Sequence, residues 1–324
     1  MPSTRRSTAP CSSSPRATIS SSTAAIPALR CRGTCRSPAA EVVEQDSSGS
    51  LADACRLWSL RDATEIADTA TSKVFRVTRA DGSLAALKLL KPYGADEIVG
   101  VHAMQYWAGH GAARILAVDG LMILMEWLDG EPLGNLVREH HRDAEATAIL
   151  CDVAAALHAP RGAYPNGLEP LPRRFTPLFE SSPADWSPAD RPHAARAARL
   201  ADDLIASTTT VLPLHGDFHH DNVVGSARGW LAIDAKGVLG DPHYEAANVF
   251  RNPYGIDGAA RDPARIDALA DAFTARLGLN RRRLLQWAAA HCALSECWNR
   301  QSGTISDFNP KLLPVLLEAA ERSA

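Results

Sequence analysis

Between residues 51 and 127 apolar positions first alternate and then recur at helical spacing. Lys73-Val74-Phe75-Arg76-Val77-Thr78 and Leu84-Ala85-Ala86-Leu87-Lys88-Leu89-Leu90 are strand-like, and Ala80-Asp81-Gly82-Ser83 between them has hairpin-turn chemistry. Residues 57–66, ahead of them, predict a short helix or a loop lead-in. Over residues 95–109, Val99, Ala103, Tyr106 and Trp107 share one broad helical face. Two further strands, over 113–118 and 121–127, join across Asp119-Gly120. Leu128-Asp129-Gly130-Glu131-Pro132 then breaks the pattern. Hairpins rather than strand–crossover–strand units predict a small antiparallel sheet carrying one helix.

Beyond the break the spacing becomes helical. Residues 143–158 set Ala146, Ile149, Leu150, Val153 and Leu157 on one face, and a proline-rich loop follows to about residue 192. Further helices are expected over 194–208, 263–277 and 281–300. Short strands at 211–214, 223–224 and 230–233 flank a polar run. Strand ends hold the backbone by packing while side chains face a cleft. The expected fold class is α+β in two lobes: a small antiparallel β-rich N-lobe over residues 51–128 and a mainly helical C-lobe over 129–324. Residues 1–50 are expected to be a disordered extension. They are rich in Ser, Pro, Ala and Arg, and Ile26-Pro27-Ala28-Leu29 is too short for the apolar core of a secretory signal. A transit-like targeting segment and a misplaced start are the alternatives.

Composition narrows the function classes. Hydrophobic residues are 46% of the 324, ample for a sizeable core, and a net charge of −3 gives no global reason to bind nucleic acid. No apolar run approaches the roughly 20 residues that span a bilayer. Seven cysteines, odd in number and irregular in spacing, fit a reducing compartment, hence a cytoplasmic protein, better than a disulfide scaffold. Cys292 and Cys297 fall in an apolar helical pattern and are expected to be packed thiols.

The polar run is His215-Gly216-Asp217-Phe218-His219-His220-Asp221-Asn222, with Ile233-Asp234 shortly after it. Phosphoryl transfer needs an in-line hydroxyl, cations across the phosphates and a carboxylate to receive the proton. Asp217 suits the last role, and Asn222 and Asp234 offer hard oxygen ligands for Mg²⁺. The plain alternative is a polar turn whose side chains satisfy local backbone. A zinc site from His215, His219, His220 and Asp217 is the metal alternative, but the spacing lacks the helical His-Glu-x-x-His pattern. Lys88 is the second anchor. In its apolar strand it loses hydration unless paired, and Glu97, or alternatively Asp96, can supply the pairing together with phosphate oxygens. A snorkelling edge lysine is the bland reading.

The order Lys88, helix acid, His215-Gly216-Asp217-x-x-x-x-Asn222, Asp234 resembles the protein-kinase-like fold. More narrowly, the chain is similar to the aminoglycoside/hydroxyurea antibiotic resistance kinases, the group that contains streptomycin 6-phosphotransferases. The likeness rests on residues 214–223 and 229–237, extends to Trp107-Ala108-Gly109-His110-Gly111-Ala112-Ala113-Arg114 and Asn248-Val249-Phe250-Arg251-Asn252-Pro253, and covers most of the chain from Leu57 onward. It implies an ATP-binding β-rich lobe above a helical lobe and ATP-dependent phosphorylation of a small molecule's alcohol group. Asp217 would orient or deprotonate the acceptor hydroxyl, and Asn222 and Asp234 would hold Mg²⁺. Lys88, steadied by Glu97, would contact the α- and β-phosphates. Backbone groups of the linker Met125-Glu126-Trp127-Leu128 would meet adenine, and His215 would brace the catalytic loop.

Three departures from protein kinases stand out. The phosphate-covering turn at 68–73 has no glycine-rich loop, so Thr71 and Ser72 are the candidates for hydroxyl or amide contacts. Asp234-Ala235-Lys236 replaces Asp-Phe-Gly, and Lys236 either adds charge near the phosphates or forms a local pair. No Ala-Pro-Glu segment follows, which disfavours protein substrates. The acceptor is therefore expected to be a hydroxyl-bearing small molecule, cationic if an aminoglycoside such as streptomycin. Glu296, Trp298 and Asp257 are candidates to line its pocket. A metabolite kinase acting on a sugar or amino alcohol, and an inactive pseudokinase used as a binding module, are the alternatives. Removing residues 1–45 should leave folding and turnover nearly intact; loss of the soluble fold in the truncated chain would overturn that reading of the extension.

Overall fold

The computed structural model describes residues 49–323, so the expectation for the N-terminal extension lies almost wholly outside the described residues. Ser50 caps the first helix, α1 (Leu51–Trp58), in a reciprocal box with Asp53. Five strands follow: β1 (Arg61–Asp68), β2 (Ser72–Thr78), β3 (Leu84–Leu90), β4 (Ile115–Asp119) and β5 (Met122–Glu126). They form one antiparallel sheet in the order β1-β2-β3-β5-β4. The expected hairpins are present, but part of the 57–66 stretch is strand rather than helix or loop. β1 is an exposed edge strand with polar residues on both faces, so it shows no alternation to detect.

Strand alternation gives this sheet two buried faces. Phe75, Val77, Ala85, Leu87, Met122 and Leu124 pack beneath α1 on one side. Leu90 and Ile123 meet Val101 of α2 (Ile98–Trp107) on the other. Lys88 shares the second face with Leu90, two residues along the same strand. A 3-10 turn over Pro92–Glu97 delivers the chain into α2. The helix pattern over 95–109 therefore holds for its central part, with the first turn wound tighter.

The helical lobe comprises α3 (Gly134–Arg138), α4 (Asp143–His158), α5 (Leu171–Arg174), α6 (Thr176–Phe179), α7 (Arg191–Ala206), α8 (Asp257–Ala260), α9 (Pro263–Leu277), α10 (Arg281–Gln301) and α11 (Phe308–Arg322). α10 is buried along most of its length, from Leu284 to Cys297, with α7 and α11 packed against it. A helix buried on most of its sides belongs at the centre of a lobe. α11 was not foreseen, because Pro314 interrupts its helical signature from inside. Cys151, Cys292 and Cys297 are buried free thiols; burial pushes the first two up to about 12 and the third to about 11.

Short strands complete the lobe: β6 (Glu169–Pro170), β7 (Leu212–Leu214), β8 (Val223–Val224), β9 (Leu231–Ala232) and β10 (Val238–Gly240). β10 pairs with β6 and β7, and β8 pairs with β9. These two small ladders suspend residues 215–222 and 233–237 side by side. Trp107, at the end of α2, belongs to the core of the helical lobe rather than to the sheet. Its indole N–H donates to the Leu157 carbonyl at 3.1 Å, and its ring stacks on His215. Trp107→Ala should therefore cost about 3–5 kcal/mol, measurable by urea unfolding; a loss below about 1 kcal/mol would mean that the two lobes are not tied there.

Candidate active site

Lys88 is almost completely buried, with 7% of its surface exposed. Its ammonium lies 2.9 Å from the Glu97 carboxylate and 3.0 Å from Asp234 Oδ1. Burial opposes the charge, but Asp234 and Glu97 outweigh it and raise the lysine above its ordinary value. Glu97 rather than Asp96 therefore faces Lys88. Burial pushes the Glu97 carboxyl up, yet Lys88, Lys236 and the Thr71 hydroxyl together hold it below the usual range. Lys236 reaches the second Glu97 oxygen at 3.4 Å, so its local pair is with the same helix acid.

This convergence requires α2 to lie close against residues 234–237. Gly100 provides the approach: a Cβ there would collide with the carbonyl oxygen of Ala235. Gly237 continues it from the other side at φ +70°, where a Cβ would sit 2.6 Å from the Val99 carbonyl. Asp234 itself is left-handed at φ +58°. An L-residue pays about 1–2 kcal/mol for that conformation, and such positions gather at functional sites. Nothing in the helical pattern of 95–109 marked Gly100 as necessary.

The catalytic-loop candidates occupy the segment after β7. Asn222 donates its amide to the Asp217 carbonyl at 2.9 Å and to Asp217 Oδ2 at 3.3 Å. Its amide oxygen has no partner among the described residues. Asp217 Oδ1 accepts from Asn248 at 2.8 Å. His215 is fully buried, and burial lowers its pKa. Its Nε2 donates to the Ile233 carbonyl at 2.7 Å, and its Nδ1 accepts from the Asp217 N–H at 3.3 Å. Both ring nitrogens are thus committed to the loop, and neither reaches the cleft. The His215 N–H is held in turn by the buried Glu245 carboxylate at 3.1 Å. His220 is also buried away from the cleft, and no cluster of three metal-ligating His, Cys, Asp or Glu side chains occurs among the described residues.

A cleft of about 580 Å³ opens between the lobes, lined by Asp217, Glu97, Thr71, Lys236, Glu169 and Trp298 among others. Arg174 borders it, with its guanidinium 5.0 Å above the Trp298 ring and donating to the Gly216 carbonyl at 2.8 Å. Thr71 lines the cleft, whereas Ser72 is buried in the turn, where its hydroxyl lies 3.3 Å from that of Thr69. Trp298 reaches the cleft, but Glu296 is internal, bound to Arg300 and Asn309, and Asp257 lines a separate hollow. In the linker, Glu126 spends its N–H on the Arg114 carbonyl and its carboxylate on Arg114 and Arg228. Trp127 and Leu128 make no backbone hydrogen bond within the described residues.

Residues that sequence reasoning left without a role include Glu245, Arg174, Gly100 and Asn248. A polar residue in an apolar run, as Asn248 is among Ala246, Ala247, Val249 and Phe250, was the available signal.

The profile of the aminoglycoside/hydroxyurea antibiotic resistance kinases matches residues 57–303, about three quarters of the chain. The chain belongs to this family. Its kinase fold also appears in a choline/ethanolamine kinase family protein from Mesorhizobium loti, at TM-score 0.58 and 14% identity over 81% of this chain and 87% of that one. By sequence, this resistance-family kinase is 38% identical to the streptomycin 3''-kinase of Klebsiella pneumoniae over 74% of its own length and 89% of the relative's. It is 33% identical to the hydroxyurea phosphotransferase of Kitasatospora aureofaciens, over 80% and 74% of the two chains. The protein is an ATP-dependent small-molecule phosphotransferase with a two-lobed, protein-kinase-like fold. No helix among the described residues is long and apolar enough to cross a membrane.

In this kinase the position of α2 controls whether Glu97 reaches Lys88. Gly100→Ala, although alanine is the better helix former by about 1 kcal/mol, should raise the KM for ATP about tenfold or more by displacing α2. An unchanged KM in the folded variant would show that the close approach at Ala235 is not needed.

Proposed function

We propose that this kinase phosphorylates an aminoglycoside, with streptomycin as the substrate and its 3'' hydroxyl as the acceptor. The similarity to a streptomycin 3''-kinase supports both choices. The observation that carries the mechanistic part is the meeting of Lys88 with Glu97 and Asp234, with Glu97 itself lining the cleft that Asp217 also lines. In this reading residues 51–128 bind the nucleotide, and residues 129–324 supply the catalytic loop and the acceptor surface.

Lys88, oriented by Glu97, neutralises the α- and β-phosphates of ATP. Thr71 caps the phosphates from the turn, and Ser72 supports that turn. The backbone of Glu126, Trp127 and Leu128 faces adenine; Trp127 and Leu128 are the residues of that linker with free backbone groups. Asn222 and Asp234 fit a hard cation, since the Asn222 amide nitrogen is taken up by Asp217 while its oxygen has no partner among the described residues, and the Asp234 side chain is 42% exposed. Bound there, Mg²⁺ would offset charge that develops on the phosphates. Asp217 accepts the proton of the attacking hydroxyl as its oxygen bonds the γ-phosphorus and the bond from that phosphorus to the β–γ bridging oxygen breaks, so that ADP leaves. His215 holds the loop rather than moving a proton. Asp96, Asp217 and Trp298 are the lining groups suited to a hydroxyl-rich cation, on a wall that also carries Arg173, Lys236 and the Arg174–Glu169 pair. The free thiols and the need for ATP support a cytoplasmic location.

The test is transfer from radiolabelled ATP to streptomycin, hydroxyurea, common sugars and amino alcohols, with and without a Mg²⁺ chelator. Expected are Mg²⁺-dependent transfer to streptomycin, with the phosphate placed at 3'' by NMR, and a fall in kcat of about 10²–10⁴-fold in Asp217→Ala with MgATP affinity largely kept. Transfer confined to sugars or amino alcohols would reassign the acceptor, and near-normal turnover in Asp217→Ala would remove that residue from the chemistry.

A further inference from the structure

Behind Asp217 lies a polar chain that leads away from the cleft into the helical lobe. Asn248 is 6% exposed, and its Nδ2 donates to Asp217 Oδ1 at 2.8 Å. Its own Oδ1 accepts from Arg251 Nη1 at 2.9 Å and from Asn252 Nδ2 at 3.2 Å. Two donors on that oxygen fix the amide orientation, so only the N–H₂ end can meet Asp217. Arg251 also donates its Nε to Asn309 Oδ1 at 2.8 Å, and Asn309 passes a hydrogen bond to Glu296 at 3.3 Å. The arrangement is symmetric: a guanidinium at the centre, an amide on each side, and a carboxylate at each end.

A cation bound to the oxygen of an amide polarises it and strengthens its N–H donor, most of all where little water competes. Arg251 therefore acts on Asp217 through Asn248, without touching it. The consequence concerns geometry at the reacting hydroxyl. Asp217 Oδ1 is occupied by Asn248, while Oδ2 has a longer 3.3 Å contact from Asn222 and the His219 Nε2 at 4.0 Å.

We propose that Asn248 is a positioning residue that, backed by Arg251, engages Oδ1 of Asp217 and presents Oδ2 to the acceptor hydroxyl. This rests on the reading of Asp217 as proton acceptor given above. Neither Asn248 nor Arg251 belongs to the residues assigned to ATP or Mg²⁺, so losing the hydrogen bond changes the chemical step and not nucleotide binding.

The experiment compares Asn248→Leu, Asn248→Asp and Asn248→Ser with wild type and Asp217→Ala. Steady-state kinetics are measured in both ATP and acceptor, with thermal unfolding of each protein. Leu removes the donor at similar volume, Asp sets a second carboxylate against Oδ1, and Ser is too short to reach, while remaining easy to accommodate. In every variant that folds, kcat should fall about tenfold to a hundredfold, as for a small misplacement of a reacting group. KM for ATP and for acceptor should stay within about threefold, the signature of an interaction felt in the transition state. A kcat within about twofold of wild type in a folded variant would overturn the proposal. So would a kcat loss matched by equal rises in both KM values, which is what a general loosening of the lobe produces. Asp217→Ala separates the two readings. If it retains turnover, the role of Asp217 fails; if it is inactive while the Asn248 variants behave as wild type, only the role of Asn248 fails.

Discussion

A lysine ammonium removed from water between two carboxylates is the constraint on which the rest of this structure depends. Moving such a charge out of water costs several kcal/mol, and only close counter-charges in good geometry offset it. For Lys88 they come from different parts of the chain: Glu97 from the start of α2, and Asp234 from the segment after β9. The sheet, the helix and the helical lobe must therefore come together at one point. Glycines at 100 and 237 let the backbones approach, and Trp107 anchors the far end of the same helix beside His215. Losing both carboxylates would strand the buried ammonium, which is far more costly than losing a surface pair.

The loop from His215 to Asn222 poses the opposite problem. It has little regular structure of its own, so its polar groups need partners from elsewhere. Glu245 takes the His215 N–H, the His215 ring spans the loop from Ile233 to Asp217, and Arg174 takes the Gly216 carbonyl. Arg138 pairs with Asp221 through two hydrogen bonds of 2.7 and 3.1 Å. The loop is rigid because its surroundings specify it. That rigidity suits a reaction in which protein contributes position and charge rather than covalent chemistry.

The two carboxylates of the site differ accordingly. Asp234 stands in left-handed backbone and meets the lysine, with much of its side chain exposed. Asp217 is held from behind by two amides, one of them braced by a buried polar chain. One side chain is paired with a buried lysine, the other is held in a fixed direction.

Local pattern alone determined a good deal. The alternation over 84–90 established a strand and put Lys88 on the face of Leu90, and the turn residues at 80–83 and 119–120 established antiparallel hairpins. The spacing of Asp217, Asn222 and Asp234 between apolar strands singled out the candidate site. Such features are legible because side-chain direction in a strand, and turn geometry, depend on near neighbours. The edge strand β1 was not legible, since it buries neither face, and α11 was hidden by its internal proline. The choice of Glu97 over Asp96 belongs to tertiary structure. Adjacent residues point in different directions, and which one meets Lys88 depends on how α2 is seated against Ala235. Asn248 is the same case: thirty-one residues separate it from Asp217, and only packing against Arg251 and Asn309 aims its amide at that carboxylate.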